Sequence, residues 1–275
     1  MTMSAEAFQT FLGLCVVSAA AAIARARRPE RRVEPIEGQA GKDVVWVPTP
    51  PDLVEKMLDM AQVTSADFVM DLGSGDGRNV IAAAKRGACA LGVEYDADLV
   101  DVSRRNAVIE SVAELATFVQ GDLYEADTSK ATVLLLFLLP ENLRALTPGF
   151  LALSPGTRIV TNRFAIEGWE ADEVSRLGGD SESCCTARLH VVPAPVAGTW
   201  LWSEARLVLE QTFQMLSGTL WLDGISTSVV GRVLGNEVSF SAAGDEYVGC
   251  VRGDFVSGTI NGRAGGAWSA VRERG

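Results

Sequence analysis

At 275 residues, 48% of them hydrophobic, the chain is too apolar to be disordered and long enough for one full α/β domain plus a smaller second unit. Its 35 acidic residues against 24 basic ones leave a formal charge of -11, which repels a phosphate backbone and argues against nucleic acid as a partner. A single histidine, His190, and five cysteines without a CxxC pair exclude a multi-imidazole or zinc site, so no metal is expected, and they point to a reduced compartment with inert thiols.

Phe11 to Ala24 is an uncharged, mostly apolar run, and Arg25, Arg27, Arg28, Arg31 and Arg32 follow it. That order is the one of an uncleaved membrane anchor with the rest of the chain in the cytoplasm; a cleaved signal carries its positive charge ahead of the apolar run, where Glu6 stands instead. The run is shorter than the roughly 20 residues of a spanning helix. An organelle-targeting peptide or an amphipathic segment on another surface therefore stays open, and with it a soluble cytoplasmic or organellar protein. Residues 1–28 are assigned to this segment, and residues 29–43, charged and containing Pro and Gly, to a linker.

Beyond the linker, Leu53, Val54, Met57, Leu58 and Met60 recur at helical spacing just after Pro50 and Pro51, predicting a helix over 52–61. Short apolar runs then alternate with helical stretches. Strands are expected at 68–72, 90–94, 117–120, 132–138 and 158–162, and helices at 79–86 and 98–110. This rhythm means βαβ units, so the predicted fold of residues 44–195 is α/β, with a doubly wound, mostly parallel, buried sheet. From 196 to 275 helical signals fade, glycines recur every several residues and apolar positions alternate, as at Leu207, Leu209, Phe213 and Met215. A small C-terminal all-β domain is expected there, an antiparallel sandwich or meander of barrel-like form, with no near-identical repeat.

Asp71-Leu-Gly-Ser-Gly-Asp-Gly77 stands where the first strand turns into its helix. Glycines in that position let the backbone turn sharply and approach a ligand. The spacing is GxGxG and not the GxGxxG of dinucleotide sites, and Asp76 inside the loop opposes a pyrophosphate, so a cationic ligand with a free amino group suits it better. Asp71 is placed to take the ammonium end of such a ligand. Glu94 lies about as far beyond the loop as the ribose-binding acid of nucleotide folds, and Asp122 follows the third strand, where it can accept from an adenine amine. All three acids are expected at the carboxyl ends of parallel strands, the edge at which open α/β sheets bind ligands.

These residues bring out a resemblance. The chain resembles the class I S-adenosylmethionine-dependent methyltransferases, and more narrowly the protein-lysine methyltransferases of the ATP synthase c-subunit and the adenine nucleotide translocase, with their bacterial relatives. The likeness runs from Trp46-Val-Pro-Thr-Pro50 through Asp71-Leu-Gly-Ser-Gly-Asp-Gly-Arg78, Gly92-Val-Glu94, Gly121-Asp-Leu123, Leu138-Leu-Pro140, Arg158-Ile-Val160 and Arg163-Phe164 to Trp169. It implies a Rossmann-like methyltransferase fold with S-adenosylmethionine as cofactor, bound by Thr49, Pro50, Asp71, Gly73, Ser74, Gly75, Gly77, Glu94 and Asp122. It also implies a protein lysine as methyl acceptor, received near Leu139, Pro140, Asn162, Phe164 and Trp169, without naming a general base. Trp169 and Phe164 can equally be core residues. Two departures stand out: no NPPY-type tetrapeptide follows the fourth strand, which disfavours nucleobase amines, and bacterial relatives often carry histidine where Asn162 stands. A small-molecule or lipid-associated amine as acceptor, or a cofactor-binding pseudoenzyme docking a membrane partner, are the alternatives.

Overall fold

The structure, a computed structural model, describes residues 34–39, 41, 46–177, 185–203, 205–263 and 265–274. The apolar run of Phe11–Ala24, its arginines and Cys184 lie outside the described residues. Among the described residues no helix is long and apolar enough to cross a membrane. The described residues fall into two compact units, the first taking those up to Thr49 and Thr64–Ala126, the second Pro50–Val63 and those from Asp127 onward.

The first unit holds β1 (Phe68–Leu72), α2 (Arg78–Lys85), β2 (Cys89–Glu94), α3 (Ala97–Ile109) and β3 (Ala116–Gln120). β1 and β2 pair in parallel with Asp71 opposite Gly92, and β2 pairs in parallel with β3 with Glu94 opposite Gln120. The strands are apolar nearly throughout, as sheets covered by helices require. α3 starts at Asp96, whose carboxylate accepts from the Asp98 amide as an N-cap, a role its residue type favours. Part of the expected linker is folded: Ile36–Gln39 makes a turn, and Trp46 bonds to it, accepting from Gly38 N at 2.8 Å and donating to Gln39 O at 3.0 Å.

The second unit begins with α1 (Pro51–Met60), whose buried face of Leu53, Val54, Met57 and Leu58 packs against β5 (Arg158–Asn162) and β7 (Thr186–Val191). β4 (Val133–Leu136) pairs in parallel with β5, but β7 runs antiparallel to β5 and to β6 (Glu173–Arg176). The strands of the first unit take the order β3-β2-β1 and those of the sheet in the second unit β4-β5-β7-β6, the latter mixed with its antiparallel strands at one edge. One helix, α4 (Pro140–Leu151), falls outside the predicted elements. Its buried residues are only Asn142, Leu143 and Phe150 and Pro148 interrupts it, so it carries little of the periodic signal on which a helix is read.

The C-terminal strands β8 (Gly198–Trp202), β9 (Ala205–Thr212), β10 (Met215–Leu222), β11 (Ile225–Leu234), β12 (Glu237–Ala242), β13 (Asp245–Arg252), β14 (Phe255–Asn261) and β15 (Gly266–Arg272) form a closed barrel. Of the expected forms, the antiparallel meander of barrel-like form is the one found, closed on itself, and the sandwich is not. β15 returns to β8, Val271 opposite Leu201 and Arg272 opposite Trp200, and closure removes the free edges an open meander would expose. Trp202, Phe240, Tyr247 and Trp268 pack on one another inside, with Phe240 and Tyr247 stacked at 4.7 Å. The structure also brings out a degenerate repeat hidden by divergence. Gly231-Arg-Val-Leu-Gly-Asn-Glu-Val-Ser239 and Gly249-Cys-Val-Arg-Gly-Asp-Phe-Val-Ser257 form successive hairpins, turning at Gly235 and Gly253 with φ of 58° and 62°.

Candidate active site

Three carboxylates mark the strand ends of the first unit. Asp71, 3% exposed in β1, accepts from Asn79 Nδ2 at 3.0 Å. Burial pushes its carboxyl up from 3.8 to about 7; the Asn79 bond works the other way, and the negative charges of Glu94 and Asp76 add to the rise. Among the described residues no ion pair reaches it. Glu94, ending β2, accepts from the Gly75 amide at 2.9 Å through one oxygen and from the Asp96 amide at 2.9 Å through the other, so it ties the glycine loop to the strand beside it. Asp122, two residues past β3, accepts from the Tyr124 amide at 3.0 Å.

The loop between β1 and α2 is held open by its glycines. Gly75 has φ of 54°, and a Cβ there would lie 2.5 Å from the Trp46 indole nitrogen. Gly77, at φ 85°, is the N-cap of α2, and a Cβ would press within 2.7 Å of the Phe118 ring. Both positions need a left-handed backbone and close approach, which glycine alone adopts without strain. Ser103 Oγ donates to Gly75 O at 2.8 Å and Asn106 Nδ2 to Asp76 O at 3.0 Å, so α3 fixes the loop from the side. Arg78 pairs with Asp76 at 2.6 Å and reaches the carbonyl of buried Thr49 at 2.8 Å. Gly73 and Ser74 donate to Val93 O, and Ser74 Oγ is buried with no hydrogen-bond partner among the described residues. Trp46, Ser103 and Asn106 are thus part of this loop's architecture although sequence reasoning did not name them as site residues. Their signal was spatial, two turns of α3 and a preceding segment converging on one loop.

A cradle that any Cβ would fill, a buried acid with no ion pair among the described residues and a buried hydroxyl in the loop fit S-adenosylmethionine, which has an ammonium end and a sulfonium centre. Pro50 is the residue before α1, in the second unit, with backbone φ of -56°.

The residues expected on the acceptor side belong to the second unit. Leu139 caps α4, its amide donating to Asn142 Oδ1 at 3.2 Å, and Pro140 opens that helix exposed. Asn162 ends β5 fully buried opposite Ala187, and Phe164, half-buried, follows it, with the Arg163 guanidinium carbon 5.1 Å from the Phe164 ring centre. Trp169 packs as a core residue, 2% exposed, stacked on Phe213 at 5.4 Å and edge-on to His190 at 5.3 Å. His190 is itself buried in β7, its Nε2 3.3 Å from Trp169 O, and burial drives its pKa down to about 4, so it is neutral at physiological pH.

Comparison with known proteins bears on this constellation. A family model described as the ANTKMT methyltransferase domain matches residues 71–173. A protein-lysine N-methyltransferase of Saccharolobus islandicus is 39% identical over 152 residues, 54% of this chain and 94% of that protein. The lysine N-methyltransferase of the ATP synthase c-subunit in Homo sapiens is 34% identical over 137 residues, which span half of this chain and 58% of the human protein. The crystal structure of an RNA methyltransferase from Salinibacter ruber in complex with S-adenosyl-L-homocysteine is 44% identical and superposes with a TM-score of 0.51. That match covers 96% of the Salinibacter chain and 55% of this one, so nearly half of this chain lies outside it.

Proposed function

The chain belongs to the protein-lysine N-methyltransferase family of S-adenosylmethionine-dependent enzymes, and from that premise we propose that it methylates the ε-amine of a lysine in a protein substrate. The observation that carries the reading is the acid-lined glycine cradle: Asp71 buried with no ion pair among the described residues, and Glu94 bonded to the Gly75 amide of the loop that approaches the ligand.

When bound, S-adenosylmethionine supplies a methyl group on a sulfonium leaving group. The protein then has to present a neutral amine in line with that methyl group and keep water away. On this reading Leu139, Pro140, Asn162 and Phe164 border the acceptor, and apolar surroundings at Leu138 and Leu139 favour loss of the lysine proton by penalising the ammonium form. Trp169 supports this wall from the core and does not cage the amine. The chain works, on the same reading, at a membrane through Phe11–Ala24 with its catalytic residues in the cytoplasm, which rests on the sequence pattern alone.

RNA is the second acceptor class, because the Salinibacter relative carries that description. The net charge of -11 weighs against it. The test is transfer of a tritiated methyl group from S-adenosylmethionine by the full chain to the purified ATP synthase c-subunit and, separately, to ribosomal RNA. Label recovered as methyl-lysine after acid hydrolysis is the expected result. Label entering only RNA would overturn the lysine assignment, and label in neither would leave the acceptor class wrong.

A further inference from the structure

The second residue of α2 is one that the helix itself does not ask for. α2 buries Asn79, Val80, Ile81, Ala83 and Ala84, so Asn79 stands on the apolar face, one turn ahead of Ala83. It is 5% exposed. Taking an amide out of water destabilises a fold unless both of its ends find new partners. The nitrogen finds one, donating to Asp71 Oδ2 at 3.0 Å, while Oδ1 is buried without a hydrogen-bond partner among the described residues. An aliphatic side chain of the same size would serve the packing of this face better, so packing does not account for the amide.

What the amide meets does account for it. Among the described residues the donor to the Asp71 carboxylate is Asn79. The charges around that carboxylate have the wrong sign: Glu94 at the end of β2 and Asp76 in the glycine loop both oppose its ionisation. The cations of α2 are engaged elsewhere, Arg78 with Asp76 and Lys85 with Glu110. The N–H of Asn79 is therefore the group that favours the anion against burial and two like charges. Its bond also spans the loop, tying the end of β1 to the first turn of α2 across Gly73, Gly75 and Gly77. Both ends of the tie stand on regular elements, which hold a side chain more firmly than a loop does.

We propose that Asn79 is a positioning residue of the cofactor site, whose amide holds the Asp71 carboxylate in place as the anion that receives the ammonium end of S-adenosylmethionine. The inference rests on the reading of the glycine cradle as the cofactor site, and it names the residue by which so buried an acid meets a cation at neutral pH. Asn79 touches no reacting atom in this role and acts through Asp71 alone.

The experiment compares the unaltered full chain with Asn79→Leu, close in shape and without the amide, and with Asn79→Ala as a second variant. In the cofactor-free protein, labelled with isotope-enriched aspartate, the titration of the Asp71 carboxyl carbon is followed by NMR and assigned with Asp71→Asn. Its midpoint is expected to rise by about one pH unit in both variants. S-Adenosylmethionine affinity, read by calorimetry, is expected to weaken about fivefold at pH 7 and about twofold at pH 8, because the protonated fraction of Asp71 sets the loss. An Asp71 midpoint that does not move, or a loss of affinity equal at pH 6, 7 and 8, would make Asn79 a packing residue and overturn the proposal. An unaltered chain that binds no S-adenosylmethionine, while the Asp71 midpoint still moves in the variants, would refute the cofactor reading and leave the hold of Asn79 on Asp71 standing.

Discussion

Asp71 is the residue whose chemistry is most exposed to test. Its carboxyl is raised from 3.8 to about 7, so in the cofactor-free protein its contribution to stability is present below about pH 3.8 and is lost as pH rises through 7. A ligand ammonium reverses the balance by favouring the ionised form. S-Adenosylmethionine affinity is therefore expected to be constant above pH 7 and to weaken by up to about tenfold for each unit below it, as a proton must be released on binding. Titration calorimetry between pH 5 and 8 checks this, and Asp71→Asn should flatten the profile and lower the affinity. Gly75 offers a steric counterpart. Gly75→Ala sets a methyl group 2.5 Å from the Trp46 indole at φ 54°, and a loss of about 1–3 kcal/mol in stability is expected. Adding Trp46→Ala to it should restore only the part due to the clash, read from the midpoint of thermal unfolding.

At the scale of elements, the barrel packs on the loop of residues 169–172. Phe213 stacks on Trp169, and Gln214 Nε2 donates to Glu170 O at 2.7 Å. Arg232 pairs with Asp172 at 2.5 Å, a carboxylate whose side chain is almost buried. These three contacts fall on residues 169–172, at the end of the stretch matched by the family model, while Gly235 of the barrel lies against Gly156. Phe213→Ala is expected to cost about 1–3 kcal/mol in chemical denaturation, less than a fully buried phenylalanine because the ring is only half-buried. Much of this level was legible in advance. β1 and β5 begin and end where the apolar runs do, and the remaining predicted strands and helices are met within a residue or two, because strong period-2 and period-3.6 patterns coincided with glycine and proline boundaries. α4 was not legible, since few of its residues are buried and Pro148 reads as a breaker. Neither were β6 and β7, which were not predicted as strands; β6 is four mostly exposed residues and gives no alternating apolar signal.

For the molecule as a whole, the ordered motifs carried the resemblance to methyltransferases, and the three acids at strand ends could be placed because parallel sheets bind ligands at one edge. Closure of the C-terminal barrel could not be read, because it depends on β15 finding β8 across most of the domain, and the two similar hairpins share only their glycines, two valines and a serine. The loop's supports were equally hidden: Trp46, Ser103 and Asn106 meet Gly75 and Asp76 only in three dimensions. The account depends on the glycine cradle holding S-adenosylmethionine, and calorimetric titration of that compound into the full chain, beside Glu94→Ala, tests it most directly. Saturable binding, weakened by about 1.5–3 kcal/mol in the variant through loss of a charged acceptor, is the expected result. No binding to the unaltered chain, or equal binding to the variant, would contradict it.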